Sequence, residues 1–491
     1  MMKRLICALL ALFLLTAVFS AFAEDSGSMP PGEPLEGFGN GNPPGEPPEG
    51  FGNGTPPGEP PEGFEGGNPP GNPPDGFGGG TPPGSHASSF TYSSASEITV
   101  ADAQSGQAYS SGTPDESALI INTGDAVTIT DPSVSKAGDS DGGDNCSFYG
   151  LNAAVLVMGG ASAAISGGTV ESSGSGANGV FCYGGNGGAN GAGGDGTTLY
   201  ISGTTITTTG DGSGGIMTTG GGITYASDLT VTTYGRSSAA IRTDRGGGTV
   251  VVDGGTYTSN GLGSPAVYST AEITVKNASL VSNLSEGICI EGMNSVTLEN
   301  CDLTADNTCC NGHSTFLDTV MIYQSMSGDA DSGTSSFTMT GGSLASLSGH
   351  MFHVTNTHAV ITLNDVNLVN EGSDILLSVC DDGWSGASNI AELNAVSQKL
   401  SGTLLVGSNS ALALTLADGS SFEGCVSGAI TNAKGTVIST ETGTVTVSLD
   451  ETSTWTLTAD TYISGFSGNA GNVISNGYTL YVNGAALEGT N

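Results

Sequence analysis

The chain has 491 residues, and its 47 Asp and Glu outnumber 9 Lys and Arg, giving a formal charge of −38. A polyanion of this kind repels nucleic acid and anionic lipid, which excludes both as partners. Charged residues are only 11% of the total while glycine fills 81 positions. The surface must therefore be built largely from Ser, Thr, Asn and Gly, a composition that suits turn-rich β-structure and is poor in helix formers.

Residues 1–23 read as an export signal. Lys3 and Arg4 form a basic start, Leu5 to Phe19 an apolar stretch, and Ala21-Phe22-Ala23 a small-x-small cleavage site. Cleavage removes two bases and no acid, leaving 47 acids against seven bases and a formal charge of −40. No later apolar run approaches the about 20 residues that span a bilayer. The expectation is a secreted or surface-associated chain with no membrane insertion.

Residues 24–85 repeat a 13-residue unit: PGEPLEGF (31–38), PGEPPEGF (44–51), PGEPPEGF (57–64) and PGNPPDGF (70–77) keep strict register. Frequent proline removes amide donors while glycine prevents regular stiffness. With one aromatic per unit and almost no other apolar residue, no core can form, so the segment is expected to be a disordered acidic spacer.

From residue 86 short β-branched runs recur between turn residues: 127–129, 229–231, 250–252, 273–275 and 296–298. The last four lie 21, 23 and 23 residues apart, which is the length of a solenoid coil and too long for an antiparallel sandwich. Second elements follow at Gly254–Tyr257, Asn277–Leu280 and Asn300–Leu303, and third elements at Ala266–Tyr268 and Ile288–Ile290. Three strands per coil predict an all-β, right-handed parallel β-helix over 86–491, with stacked Val, Ile, Leu, Ala and Cys as its core. Asn277 and Asn300 are expected at equivalent corners, Val251 facing the core and Thr249 the solvent. The eight cysteines after the leader read as core thiols or as disulfides.

The passages SSAAIRTDRGGGTVVVDGGTYTSNGLGSPAVYST (237–270) and VMIYQSMSGDADSGTSSFTMTGGSL (320–344) resemble the pectate-lyase-like right-handed β-helix superfamily, nearest to its secreted, adhesin-like bacterial members. STWTLTADTYISGF (453–466) is similar to the Trp-containing coils that close autotransporter passenger domains, which implies capping coils near 450–491. The resemblance implies either a non-enzymatic adhesin presenting polar faces to glycans or cell surfaces, or a polysaccharide lyase or glycoside hydrolase with a divergent site.

Of the motifs that the enzymes of the superfamily carry, only Asp381-Asp382 is present; Gly349-His350-Met351 lacks a second glycine, and Arg-x-Lys is missing. Arg236, Arg242 and Arg245, with Asp244 between the last two, place three of seven basic residues on one coil. They offer bidentate donors for a glycan carboxylate, or they simply bridge acidic turns. Arg242, Asp244, Arg245, Asp381 and Asp382 are thus the candidate catalytic residues. No cofactor is implied, except calcium: Asp139, Asp141 and Asp144 form an oxygen-rich loop, though one lacking the glutamate of an EF-hand. Cys309-Cys310 with His313 could supply soft metal ligands, but a disulfide is the plainer reading. Alternation puts His350 and His353 on opposite faces of a strand, which argues against a shared site. Thr205/Thr207 and Thr230/Thr232 read as an ice-binding face or as ordinary exposed strand residues.

Overall fold

The structure, a computed structural model, describes residues 90–140, 143–186 and 193–491. The leader, the spacer and Asp141 lie outside the described residues. What is described is a parallel β-helix. One sheet of fifteen strands runs from Glu97–Ile98 to Val473–Ile474, and a second of 22 strands covers the remaining sides. At about 4.8 Å per strand, fifteen rungs stack to about 67 Å.

Strand alternation builds the interior. In the larger sheet one inward column reads Val127, Ala163, Leu199, Thr224, Val250, Ile273, Val296, Phe337, Ile361, Leu393, Leu414 and Val447, each paired with the next. These side chains are almost entirely buried. A coil buries little by itself, and its inward residues are desolvated by the coils above and below. Thr224 is tolerated there because its hydroxyl bonds Thr218 Oγ1 at 2.7 Å.

The corner between the two strand segments of each coil needs a left-handed backbone. Asp131, Gly167, Gly203, Asp228, Gly254, Asn277, Asn300, Gly341, Asp365, Ser397 and Asp418 occupy it, all at φ between 49° and 77°. Glycine, Asn and Asp reach this region at least cost. The Asn277 and Asn300 corners are where expected, but Asn277 donates its amide to Asp253 Oδ1 at 2.7 Å.

Two expectations of register are corrected. Val250 and Val252 face inward, whereas Val251 is half-buried and points outward together with Thr249. A period of two puts 249 and 251 on one face, so they cannot differ. The run 229–231 is also not the equivalent of 250–252: Val251 pairs with Tyr225, and Leu229 to Val231 pair with Gly255 to Tyr257. The 21-residue interval therefore joins different strands of the coil, while the two 23-residue intervals join true equivalents.

Other coils are longer because they carry insertions. Ser162 pairs with Thr198, 36 residues on, and Ser295 with Ser336, 41 residues on. The insertions include the helix Asp144–Tyr149 and residues 306–317, 324–333 and 380–388. All eight cysteines among the described residues are thiols, and Cys309 and Cys310 form no disulfide. At the far end Trp455 is fully buried, stacks on Phe422 at 5.7 Å and donates to Gly424 O at 3.0 Å. An antiparallel pairing of Leu480–Val482 with Ala485–Ala486 follows.

Candidate functional site

The insertions lie over the outer face of the fifteen-stranded sheet. Strands there are therefore buried on both faces, as at Ile288–Glu291 and His350–Thr355. Outward residues stack into columns just as the core does. One runs Met217, Arg242, Tyr268, Cys289, Met321, His353, Ser378. Beside it Glu291, Tyr323 and Thr355 pair in order, and on the other side Asp318 pairs with His350.

A cavity of about 230 Å³ opens on this face, lined by Ser237, Arg242, Pro265, Tyr268, Asn311 and Tyr323. Arg242 forms its floor. Its guanidinium donates to Asp244 Oδ2 at 2.6 Å, to Ser237 O at 3.1 Å and to Ser147 Oγ at 3.3 Å, and lies 5.7 Å from the Tyr268 ring centroid. Its buried Nε has no partner. Glu291 fixes the walls: Tyr268 and Tyr323 donate their hydroxyls to its Oε2 at 2.5 and 3.0 Å, and Ser325 donates to Oε1. Trp384 packs on Tyr323 at 4.9 Å. At the rim, exposed Arg236 donates to Asn311 Oδ1 at 3.2 Å. Arg245 turns away, pairing with Asp329 at 2.6 Å over the Phe148 ring.

Burial pushes the Asp244 carboxyl up to about 6, with Asp329 adding to the rise and Arg242 limiting it. Burial works against the Arg242 charge too, yet Asp244 leaves its pKa raised, so the guanidinium is a permanent cation. Burial and the neighbouring Glu291 hold Tyr268 and Tyr323 well above the usual phenol range. Both remain donors.

Next to the cavity lies a closed cluster. Asp318 is fully buried and neither carboxylate oxygen has a partner; Glu286 is 6% exposed and accepts from Ser285 Oγ. Burial raises both pKa values, and the neighbouring Glu286 and Asp382 raise that of Asp318 further. Burial, with His353 adding, pushes His350 down to about 4. His350 and His353 meet here, against expectation, with their Nδ1 atoms 2.9 and 2.7 Å from Ser378 Oγ. The reason is local: Met351 and Phe352 both enter the core, so alternation slips by one residue between the histidines. His358 sits elsewhere, bonded to Glu392.

Asp382 and Asp381 diverge. Asp382 accepts from Thr315 N and Oγ1 at 2.8 and 2.6 Å and lies 3.5 Å from His353 Nε2. Burial works to raise its pKa, but His353 and Thr315 outweigh burial and hold it below the usual carboxylate range. Asp381 is exposed and accepts from Asn389. Asp382, His353 and Ser378 are the residue types of a nucleophile-activating relay, but His353 Nε2 and Asp382 Oδ2, 3.5 Å apart, form no hydrogen bond. His353 and Ser378 also have no exposed surface, and Phe316 stacks on His353 at 4.6 Å. The arrangement joins successive coils.

Of the calcium candidates, Asp139 Oδ1 accepts from Ser175 N at 2.8 Å and Asp144 opens the short helix, while Asp141 lies outside the described residues. Among the described residues no three His, Cys, Asp or Glu side chains are placed to hold a metal ion. Tyr268, Glu286, Glu291, Asp318 and Tyr323 escape a motif search because they are spread over three successive coils. Their signal is an ionisable or aromatic residue beside the core positions of a strand, as in Ile288-Cys289-Ile290-Glu291. Comparison with protein-family models, with curated proteins and with solved structures returns no match.

Proposed function

We propose that this chain is an exported glycan-binding protein of adhesin type, built as a member of the pectate-lyase-like superfamily, and that sugar binds in the Arg242 cleft. One observation carries the reading: a cation and two phenols, held rigid by Asp244 and Glu291, line a concave site on a chain otherwise strongly acidic. Aromatic faces pack the apolar side of a pyranose ring, and fixed donors take its oxygens. Arg236, Arg242 and Arg245 offset Asp244, Glu291 and Asp329, so neutral or weakly acidic sugars meet little repulsion.

Calorimetry and a glycan array on the mature chain, run beside reducing-sugar and unsaturated-product assays, test this. Binding without product is expected. Asn311→Ala should weaken it about tenfold, one hydrogen bond's worth, with an unchanged melting curve. Undiminished binding in both Asn311→Ala and Tyr323→Phe would place the site elsewhere.

A second reading is glycoside hydrolysis by the Glu286 and Asp318 carboxyls on adjacent rungs, whose raised pKa values suit a general acid; it requires the insertions that bury them to open. Product formation that Asp318→Asn abolishes would establish it in place of the first.

A further inference from the structure

The larger sheet carries an outward column on its exposed face: Thr128, Ala164, Tyr200, Tyr225, Val251, Thr274. Tyr200 and Tyr225 are 48% and 42% exposed, yet their rings stack at 5.3 Å with an interplanar angle of 13°. Two phenols held parallel on successive rungs are an ordered surface, because the sheet fixes both backbones. Ala164 precedes them and is too short to cover the outer face of Tyr200. A cavity of about 390 Å³ extends over Ala164, the two tyrosines and Val251, and is bordered by Ser202 and Asp253.

The border is regular as well. Ser166, Ser202, Ser227 and Asp253 pair in order and form a second column two residues along the strands, about 6.7 Å from the tyrosines. An apolar wall of ring size therefore runs beside a row of small oxygen groups. That is the pattern a pyranose needs: its C–H face lies on the aromatic ring, and its equatorial hydroxyls reach sideways to the oxygens.

Charge narrows the occupant. Asp253 is the one charged residue of this lining, and Lys276, the next residue of its column, is neutralised by Glu299 at 2.9 Å. A second copy of the chain or an anionic polysaccharide would bring its own negative charge to a molecule already at −38. A neutral oligosaccharide pays no such penalty. Among hexoses, those with every hydroxyl equatorial leave an unbroken C–H face, and a β-1,4-linked glucan presents such faces along its length.

We infer that the Tyr200/Tyr225 platform is a second glycan site, specific for neutral, gluco-configured oligosaccharides and separate from the Arg242 cleft. It lies on a different sheet, so one molecule would engage two points of a polymer, and the second contact would profit from the first through effective concentration. This goes beyond the cleft reading, and either can fail alone.

The experiment is titration of the mature chain with cellohexaose, followed by calorimetry and by saturation-transfer NMR. Mannohexaose and a β-1,4-galactohexaose serve as comparisons, and sedimentation is recorded in parallel. Cellohexaose should bind best; mannohexaose, with an axial 2-hydroxyl on every ring, and galactohexaose, whose axial O4 linkages turn successive rings off the platform, should bind more weakly. Tyr200→Ala should weaken cellohexaose at least tenfold with an unchanged melting curve, Tyr200→Phe should stay within twofold of the parent, and Asn311→Ala should leave this binding untouched. The inference is overturned if Tyr200→Ala binds cellohexaose as the parent does, if none of the three sugars binds at millimolar concentration, or if the parent is a dimer that Tyr200→Ala dissociates.

Discussion

The two outer faces of this β-helix begin from the same rule and end differently. Both continue the alternation that fills the core, so both present straight columns of side chains to the outside. Over the fifteen-stranded sheet the insertions 306–317, 324–333 and 380–388 close down, and the column residues are Arg, Tyr, Glu, Asp and His in low-dielectric surroundings. On the larger sheet the equivalent positions remain open and are filled mainly by Thr and Ser, with a pair of tyrosines and solvent-facing ion pairs such as that of Lys276 with Glu299: Thr205, Thr230 and Thr256 pair in order, as do Thr207, Thr232 and Thr258. The covering, rather than the fold, decides which face acquires perturbed ionisation. A hydroxyl on the open face is satisfied by water, whereas a carboxyl under a loop must find a partner or keep its proton.

The comparison is broken most severely by exchanging inside for outside. Val250→Asp should cost more than about 4 kcal/mol, because it buries an unpaired charge between coils. Val251→Asp, one residue along but outward, should cost less than about 1 kcal/mol in denaturant titration. Equal damage would mean that the outer column of the larger sheet is not open.

Phe316→Ala removes the ring that seals His353. A loss of about 3 kcal/mol is expected, and water entering the cluster should move the His350 pKa from about 4 back toward the ordinary imidazole range, which NMR titration reads directly. An unmoved pKa would deny that the covering sets it.

Asp318→Asn should act in the other direction. It removes a buried carboxyl whose charged form has no partner, so at pH 7 the variant should gain on the order of 1–3 kcal/mol. The pH sense follows from linkage. A carboxyl with a raised pKa binds its proton more tightly when folded, so its contribution is complete below the unfolded pKa and is lost as pH rises through the folded one. Asp244, at about 6, Glu286 and Asp318 all act in this sense; His350, depressed, acts against them as pH falls below its unfolded value. The parent's melting temperature should rise as pH drops from 7 to 5, and the slope should be shallower in Asp318→Asn. The smallest effect is expected at Tyr200→Ala, less than about 1 kcal/mol, because the ring stands half in solvent.

Much of this was legible from the residues. Recurrent β-branched triplets, Asn, Asp and Gly at corners and a coil length of 23 follow from the two-residue strand period and the positive-φ corner, both local properties. The errors arose where one coil must be aligned with another. Leu229 to Val231 resemble Val250 to Val252 in composition but sit after the corner, and only the Asp228 backbone distinguishes them. The closeness of His350 to His353 depends on two consecutive residues entering the core, which strict alternation forbids. Asp382 could be picked out as half of an Asp-Asp pair, but its partners Thr315 and His353 lie 67 and 29 residues away. The insertions that bring them together have no periodic signal.

The hydrogen bonds between coils also decide how the molecule carries load. In a parallel ladder they run from rung to rung, along the long axis. A pull between Phe90 and Asn491 therefore loads the rungs one after another, and the weakest opens first, so the rod would pay out like a spring. A sideways pull on a face loads many strands together as shear and meets far greater resistance. A tether at one end and a grip on the flank would place this chain between those two regimes, yielding gradually at the tether while the flank holds.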